Sequence, residues 1–198
     1  MKNTALTSKI SENLLLKKSM SGFTLIELMV TIGIFSVITS VVLTNYRGFI
    51  VNANFSNASE SVVIALREAQ VYGVGTKKSA VVCGTSNFTC AFGVHIDTTD
   101  RNSFTVFADV NDNKIYDAPG EKVETVNFPL GTSIQSLSCA PIVCSARLDV
   151  TFKRPNPDAF IADTALQGVS YDSATIGLTN GIRNSTITIS TAGQMSLQ

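Results

Sequence analysis

Hydrophobic and polar positions divide the chain into three textures. Residues 23–46 read FTLIELMVTIGIFSVITSVVLTNY, an apolar run whose only charge is Glu27. At 1.5 Å per residue a helix of this length reaches about 36 Å, enough for the roughly 30 Å hydrocarbon core of a bilayer. Its many Val, Ile and Thr residues are middling helix formers in water, but in lipid only a helix lets a single segment satisfy its own backbone polar groups. The run therefore predicts a membrane-spanning helix. Residues 45–61 are more polar and contain Gly48, which predicts softer order there. The following SESVVIALREAQVYGV places Val62, Val63, Leu66, Ala69 and Gln70 at helical spacing, with Glu60, Arg67 and Glu68 elsewhere on the wheel. This is an amphipathic helix that needs a sheet to cover it. Gly73 and Gly75 supply an exit, because glycine readily takes the left-handed conformation found past helix ends.

The remaining stretch of about 120 residues from Lys77 changes period. Short β-prone runs, SAVVC, FGVHI, SFTVFA, KVETVNF, RLDVTF and STITIS, recur between turns rich in Asn, Asp, Gly, Ser and Thr. Pro119, Pro129, Pro141, Pro155 and Pro157 all fall where a strand would end. The expected class is α+β: a long N-terminal helix, membrane-spanning in its first half, packed on an antiparallel β-sheet domain large enough for a single core.

Charge sets the orientation of the span. Lys2, Lys9, Lys17 and Lys18 precede it against one acid, Glu12, so the positive-inside bias keeps residues 1–22 cytoplasmic and sends the rest outward. A cleaved signal peptide is the first alternative, but the apolar stretch exceeds the usual 7–15 residues and no convincing small-x-small site follows it. A plain signal anchor explains the length and the lysines. It does not explain Glu27, since an ionisable group at bilayer depth is costly and ordinarily has a partner or a task.

Lys17 and Lys18, followed by Gly22, Phe23, Thr24, Leu25, Ile26 and Glu27, resemble the processing site of type IV prepilins and type II secretion pseudopilins. The resemblance implies that a membrane prepilin peptidase cuts after Gly22 and N-methylates Phe23, leaving a mature chain of 176 of the 198 residues. It also gives Glu27 a task. Cleavage creates an amine on Phe23, and a carboxylate four residues on can meet that amine or that of an axially shifted neighbour. Such a pair offsets the desolvation of both charges and sets register between packed helices. Pairing only within its own helix is the plainer alternative for Glu27. The order of GVHI, VFAD, DVTF and a closing ITISTAG is similar to the GspH/FimT minor pseudopilins. The implied organisation is a leader (1–22), a transmembrane or filament-core helix (23–46), its amphipathic continuation (47–75) and a periplasmic β-rich head (76–198), with a pilin-like fold.

Four cysteines fall in two close pairs, Cys83 with Cys90 and Cys139 with Cys144. Outside the inner membrane the compartment is oxidising, and an even count reads first as disulfides. Three pairings are open, of which the local one staples two short loops. Neither spacing is a zinc knuckle, and the lone His95 reads as an ordinary strand residue.

The sharpest polar cluster is ADVNDNKIYDAPGE. Asp109, Asn111, Asn113 and Asp117 fall at positions one, three, five and nine of a loop, a spacing that gathers oxygens around calcium. Position six, however, is Lys114 where an EF-hand has Gly, and the closing acid is displaced from Gly120 to Glu121. A solvated turn, in which Asp and Asn side chains cap nearby backbone donors, explains the same residues without a cation.

No enzyme signature is present: there is no G-x-S-x-G elbow and no P-loop, and a single histidine is a poor acid–base inventory. Neither a cofactor nor a small-molecule substrate is expected. Some minor pilins of the resembled kind bind incoming DNA through an Arg-containing motif near the C-terminus, but Gly193, Gln194, Met195 and Ser196 include no Arg. Removing the leader's four lysines and one glutamate leaves 11 basic and 14 acidic residues, a net −3, where phosphate binding ordinarily shows a basic footprint. Arg147, Lys153 and Arg154 form the one small basic cluster. A DNA-uptake receptor and a plain membrane-anchored adhesin are therefore the alternatives to a minor pilin or pseudopilin. That subunit would sit in the inner membrane as a single-pass protein and join other subunits in a type IV pilus or type II secretion pseudopilus, priming or capping it. A major pilin fits less well, because the resembled major subunits commonly close a disulfide near the C-terminus, whereas the 54 residues after Cys144 hold no cysteine.

Overall fold

A computed structural model describes residues 22–75, 77, 78, 83, 90–163 and 169–198. One helix, α1 (Leu25–Val74), is followed by strands β1 (Ala91–Asp97), β2 (Ser103–Asp109), β3 (Lys122–Asn127), β4 (Ser133–Ala140), β5 (Arg147–Phe152), β6 (Ala159–Ala162), β7 (Ser173–Thr179), β8 (Asn184–Ser190) and β9 (Met195–Leu197). The chain divides into two units between Asn45 and Tyr46.

In the first unit, α1 starts one residue after Thr24. The Leu28 amide donates to the Thr24 carbonyl (3.1 Å) and the Glu27 amide to the Thr24 hydroxyl (3.2 Å). Thr24 is thus the N-cap and Glu27 the third helical residue, the arrangement of a capping box. Phe23 precedes the helix and is exposed. The large apolar side chains from Leu25 to Leu43 are all exposed, and the most apolar stretch of α1 has a mean hydropathy of 2.2 with none of it buried. Thr31, Thr39 and Thr44 turn their hydroxyls back onto the carbonyls of Leu28, Phe35 and Ser40. These polar groups are satisfied inside the helix, leaving an outer surface that suits lipid.

In the second unit, α1 continues without a break through the stretch expected to be softer; Gly48 is helical and exposed. Phe55, Ala58, Ser59, Val62, Ala65, Leu66, Ala69 and Gly73 are buried along one face. Their three- and four-residue spacing is the stripe that the sequence shows from Val62 onward, extended two turns earlier. Each large side chain buried there contributes about 1.5–3 kcal/mol. The helix does not leave through a left-handed glycine. Gly73 lies against Phe152, where an added Cβ would fall 2.2 Å from the Phe152 carbonyl oxygen, and the Arg154 amide donates to the Gly73 carbonyl. Close approach, rather than a turn, is what this glycine provides.

The strands form two antiparallel sheets, in the orders β3-β2-β1-β5-β6 and β4-β7-β8-β9. Their inward residues and the buried face of α1 make one apolar cluster. It includes Phe92, Val94 and Ile96 of β1, Phe104 and Val106 of β2, Leu148, Val150 and Phe152 of β5, Ile176 and Leu178 of β7, and Ile187 and Ile189 of β8. The fold is therefore α+β, a long N-terminal helix packed on antiparallel sheet, with its first part apolar enough to span a membrane. FGVHI, SFTVFA, KVETVNF, RLDVTF and STITIS fall in β1, β2, β3, β5 and β8, while SAVVC lies outside the described residues except for Cys83. Cys83 is bonded to Cys90 and Cys139 to Cys144, with Cα atoms 5.1 and 5.2 Å apart.

Candidate functional site

The N-terminal site is built at the start of α1. The leader before Gly22 lies outside the described residues. Among the described residues nothing lies within 4 Å of a Cβ added at Gly22, Phe23 is exposed, and Glu27 is placed in the first turn by the Thr24 cap. An acid near a helix N-terminus is favoured by the helix dipole and by the amides left without partners there. The spelling T-x-x-E was readable in the sequence as a helix start, and the Thr24 cap fixes where Glu27 stands.

The acidic turn between β2 and β3 is a closed set of hydrogen bonds. The two oxygens of Asp109, which is buried, accept the amides of Asn113 (3.2 Å) and Lys114 (3.0 Å). Those of Glu121, also buried, accept the amides of Val110 (2.7 Å) and Asp117 (2.9 Å). The Asn111 and Asn113 side-chain oxygens accept the amides of Asn113 and Ile115, and their amide groups both donate to Asp117 at 2.8 Å. Asp112 and Lys114 take left-handed φ values of 62° and 69°, so Lys114 supplies the conformation for which an EF-hand uses glycine. The structure thus brings all five oxygen-bearing residues into one turn, where Asp109, Asn111, Asn113 and Glu121 accept backbone amides and Asp117 accepts the two asparagine side-chain amides. Among the described residues, no three His, Cys, Asp or Glu side chains gather as a metal would need.

Burial pushes the carboxyls of Asp109 and Glu121 up, more than their backbone hydrogen bonds pull them down. On Asp112 the opposite balance holds: ion pairs with Lys114 and Lys153 keep its carboxyl below the ordinary value. A raised carboxyl makes the folded chain hold its proton to higher pH than the unfolded chain. Its contribution to stability is fully present at low pH and is lost as pH rises through the raised pKa. Glu121→Gln is expected to destabilise the full chain in detergent by about 1–3 kcal/mol, because one of the two amides loses its acceptor. The gap between wild type and variant should widen as pH falls from neutral toward the ordinary glutamate range, since only wild type takes up that proton. Urea unfolding at a series of pH values checks both statements.

The residues of the basic cluster are engaged within the fold. The Arg147 Nε donates to Asp97 at 3.0 Å, the Lys153 ammonium pairs with Asp112, and Arg154 keeps its Nε and Nη2 buried. His95 also has a partner that spacing could not reveal, since the Asp149 opposite it in register across β1 and β5 is wholly buried and lies 2.6 Å from its Nδ1.

Residues 17–43 match the prokaryotic N-terminal methylation motif, a span that holds Gly22, Phe23 and Glu27. No curated protein and no solved structure matches the chain significantly. The motif and the pilin-like helix-on-sheet fold together support the type IV pilin and pseudopilin superfamily. Among the described residues one helix is long and apolar enough to cross a membrane, which is consistent with a membrane anchor.

Proposed function

We propose that this chain is a minor pilin or pseudopilin of the GspH/FimT kind. It is held in the inner membrane with residues 1–22 cytoplasmic and its head in the periplasm, cut after Gly22 by a prepilin peptidase, and assembled through its N-terminal helix into a type IV pilus or a type II secretion pseudopilus that it primes or caps. The observation that carries this is the matched motif lying on an exposed apolar helix with one carboxylate, Glu27, in the first turn. An apolar surface of that length needs lipid or other apolar helices around it. The head then acts by protein contact. Engagement of Arg147 and Lys153 in ion pairs, burial of the Arg154 nitrogens and the acidic balance of the mature chain all favour that reading over a DNA-uptake receptor. For the turn at Asp109, Asn111, Asn113, Asp117 and Glu121 we take the metal-free reading, and calcium is expected to leave the unfolding midpoint unchanged.

Intact-mass measurement of protein taken from membranes tests the assignment. The expected species begins at N-methylated Phe23, and peptide mapping of the same sample without reductant is expected to join Cys83 to Cys90 and Cys139 to Cys144. A mature start elsewhere would remove the pilin-type reading.

A further inference from the structure

Two of the most exposed aliphatic side chains of the second unit stand on neighbouring turns. Leu130 is 100% exposed and Ile182 84%. Leu130 lies three residues before Ser133 and Ile182 three residues after Thr179, and Ser133 and Thr179 are partners across β4 and β7. Neither residue is needed to make its turn. Gly131 and Gly181 take the positive φ values of 91° and 82°, the Thr132 amide donates to the Pro129 carbonyl, and the Asn180 side chain accepts the amides of Ile182 and Arg183. Turn apices ordinarily carry polar or small residues. Two large aliphatic tips side by side make an exposed apolar patch of the kind that marks an interaction surface.

The end of the unit on which these turns lie is fixed by α1. Phe55, Ser56, Ser59 and Glu60 share a cleft with Arg183, Asn184 and Ser185, whereas Arg67, Gln70 and Val71 share one with residues 188–196. Strand β8 therefore runs in the direction of the helix, and its leading turn lies at the end where the chain comes in at Tyr46. The turn between β1 and β2 joins them there, because the Ile134 amide donates to the Arg101 carbonyl. Exposed apolar residues continue along the same part of α1 as Tyr46, Phe49, Ile50 and Val51. Exposed arginines are interspersed at positions 47, 101 and 183, against the acids Asp100 and Glu60.

We propose that this end of the head is a lipid-contacting rim, in which Leu130 and Ile182 dip into the interface of an anionic bilayer while Arg47, Arg101 and Arg183 meet its headgroups. Aliphatic tips with adjacent cations are the chemistry by which peripheral surfaces bind acidic lipid. The inference rests on residues 23–46 spanning the membrane, and it describes the subunit before assembly.

The chain contains no tryptophan, so single Trp substitutions report cleanly. Full-length Leu130→Trp and Ile182→Trp, with Val143→Trp in the Cys139–Cys144 loop as the comparison, would be placed in vesicles of phosphatidylcholine with and without phosphatidylglycerol, their acyl chains brominated. Emission at positions 130 and 182 is expected to be blue-shifted and quenched at least twofold by the brominated lipid. Quenching should be stronger with phosphatidylglycerol and weakened by Arg101→Gln with Arg183→Gln, while position 143 stays open to acrylamide. Positions 130 and 182 as open to acrylamide as 143 would overturn the rim. So would protection that grows with protein-to-lipid ratio rather than with brominated lipid, which would assign the tips to a second copy. A chain that fails to float with the vesicles would sink the span itself, and the rim with it; a chain that floats with unquenched tips sinks the rim alone.

Discussion

Glu27→Ala is expected to leave membrane insertion intact and to reduce incorporation into filaments by tenfold or more. Removing a carboxylate from the apolar segment lowers the cost of placing it in lipid. The helix start survives, because the Thr24 hydroxyl accepts the backbone amide of residue 27, which alanine retains. What disappears, on the proposed assembly, is the acceptor for the Phe23 amine. Breaking one partner of a buried ion pair costs about 3–5 kcal/mol, more than the roughly 0.3–1 kcal/mol that the helix dipole gives an exposed acid in the first turn. Glu27→Gln tests the charge itself: glutamine keeps the size and polarity of the side chain but carries no charge, so it should fail as alanine does. Sheared filaments, or in-cell crosslinking between subunits, provide the readout. Normal incorporation of both variants would remove Glu27 from the register of the assembly.

The parts of this protein that the sequence made legible are those written in a local period. The apolar run from Phe23 to Tyr46 and the 3.6-residue stripe from Val62 to Ala69 carry their own geometry, and β1, β2, β3, β5 and β8 are runs of β-branched or aromatic residues between turn formers. Strand β7, SATIGLT, carries its Gly177 opposite the Ser136 hydroxyl, and β6 has only four residues. Both are too short or too mixed for their period to stand out, and they are strands because β8 and β5 pair with them. The continuity of α1 through Gly48 was hidden for a similar reason. Propensity in residues 45–61 is weak, and the burial of Phe55 and Ala58 against the sheets outweighs it.

The candidate site divides along the same line. Gly22, Phe23 and Glu27 are adjacent in sequence, so their chemistry can be read without a fold. The turn from Asp109 to Glu121 showed its residues but not their use, since the choice between a cation and backbone amides as partners is made by the path of the chain. The His95–Asp149 contact joins residues 54 apart and depends on β1 lying beside β5.

Gly73→Ala is expected to be among the most destabilising single changes in the second unit, against the ordinary rule for helices. In an exposed helix interior the same change stabilises by about 1 kcal/mol, because alanine loses less backbone entropy on folding. Gly48 meets that description, with nothing within 4 Å of an added Cβ, so Gly48→Ala should raise the unfolding midpoint slightly. At Gly73 the new methyl would sit 2.2 Å from the Phe152 carbonyl oxygen and 2.7 Å from its carbonyl carbon. Those atoms belong to β5, which is held between β1 and β6, so no flexible side chain can move aside. Either α1 or β5 must shift, loosening the contacts of Ala69 and Phe152 and stretching the hydrogen bond from the Arg154 amide to the Gly73 carbonyl (3.1 Å). Overpacking of this kind costs about 1–3 kcal/mol, and the lost hydrogen bond adds about 1 kcal/mol. The sum exceeds the propensity gain. Chemical unfolding of the two alanine variants in detergent should therefore move their midpoints in opposite directions. Equal shifts would show that the close approach of α1 to β5 is not where the helix is held.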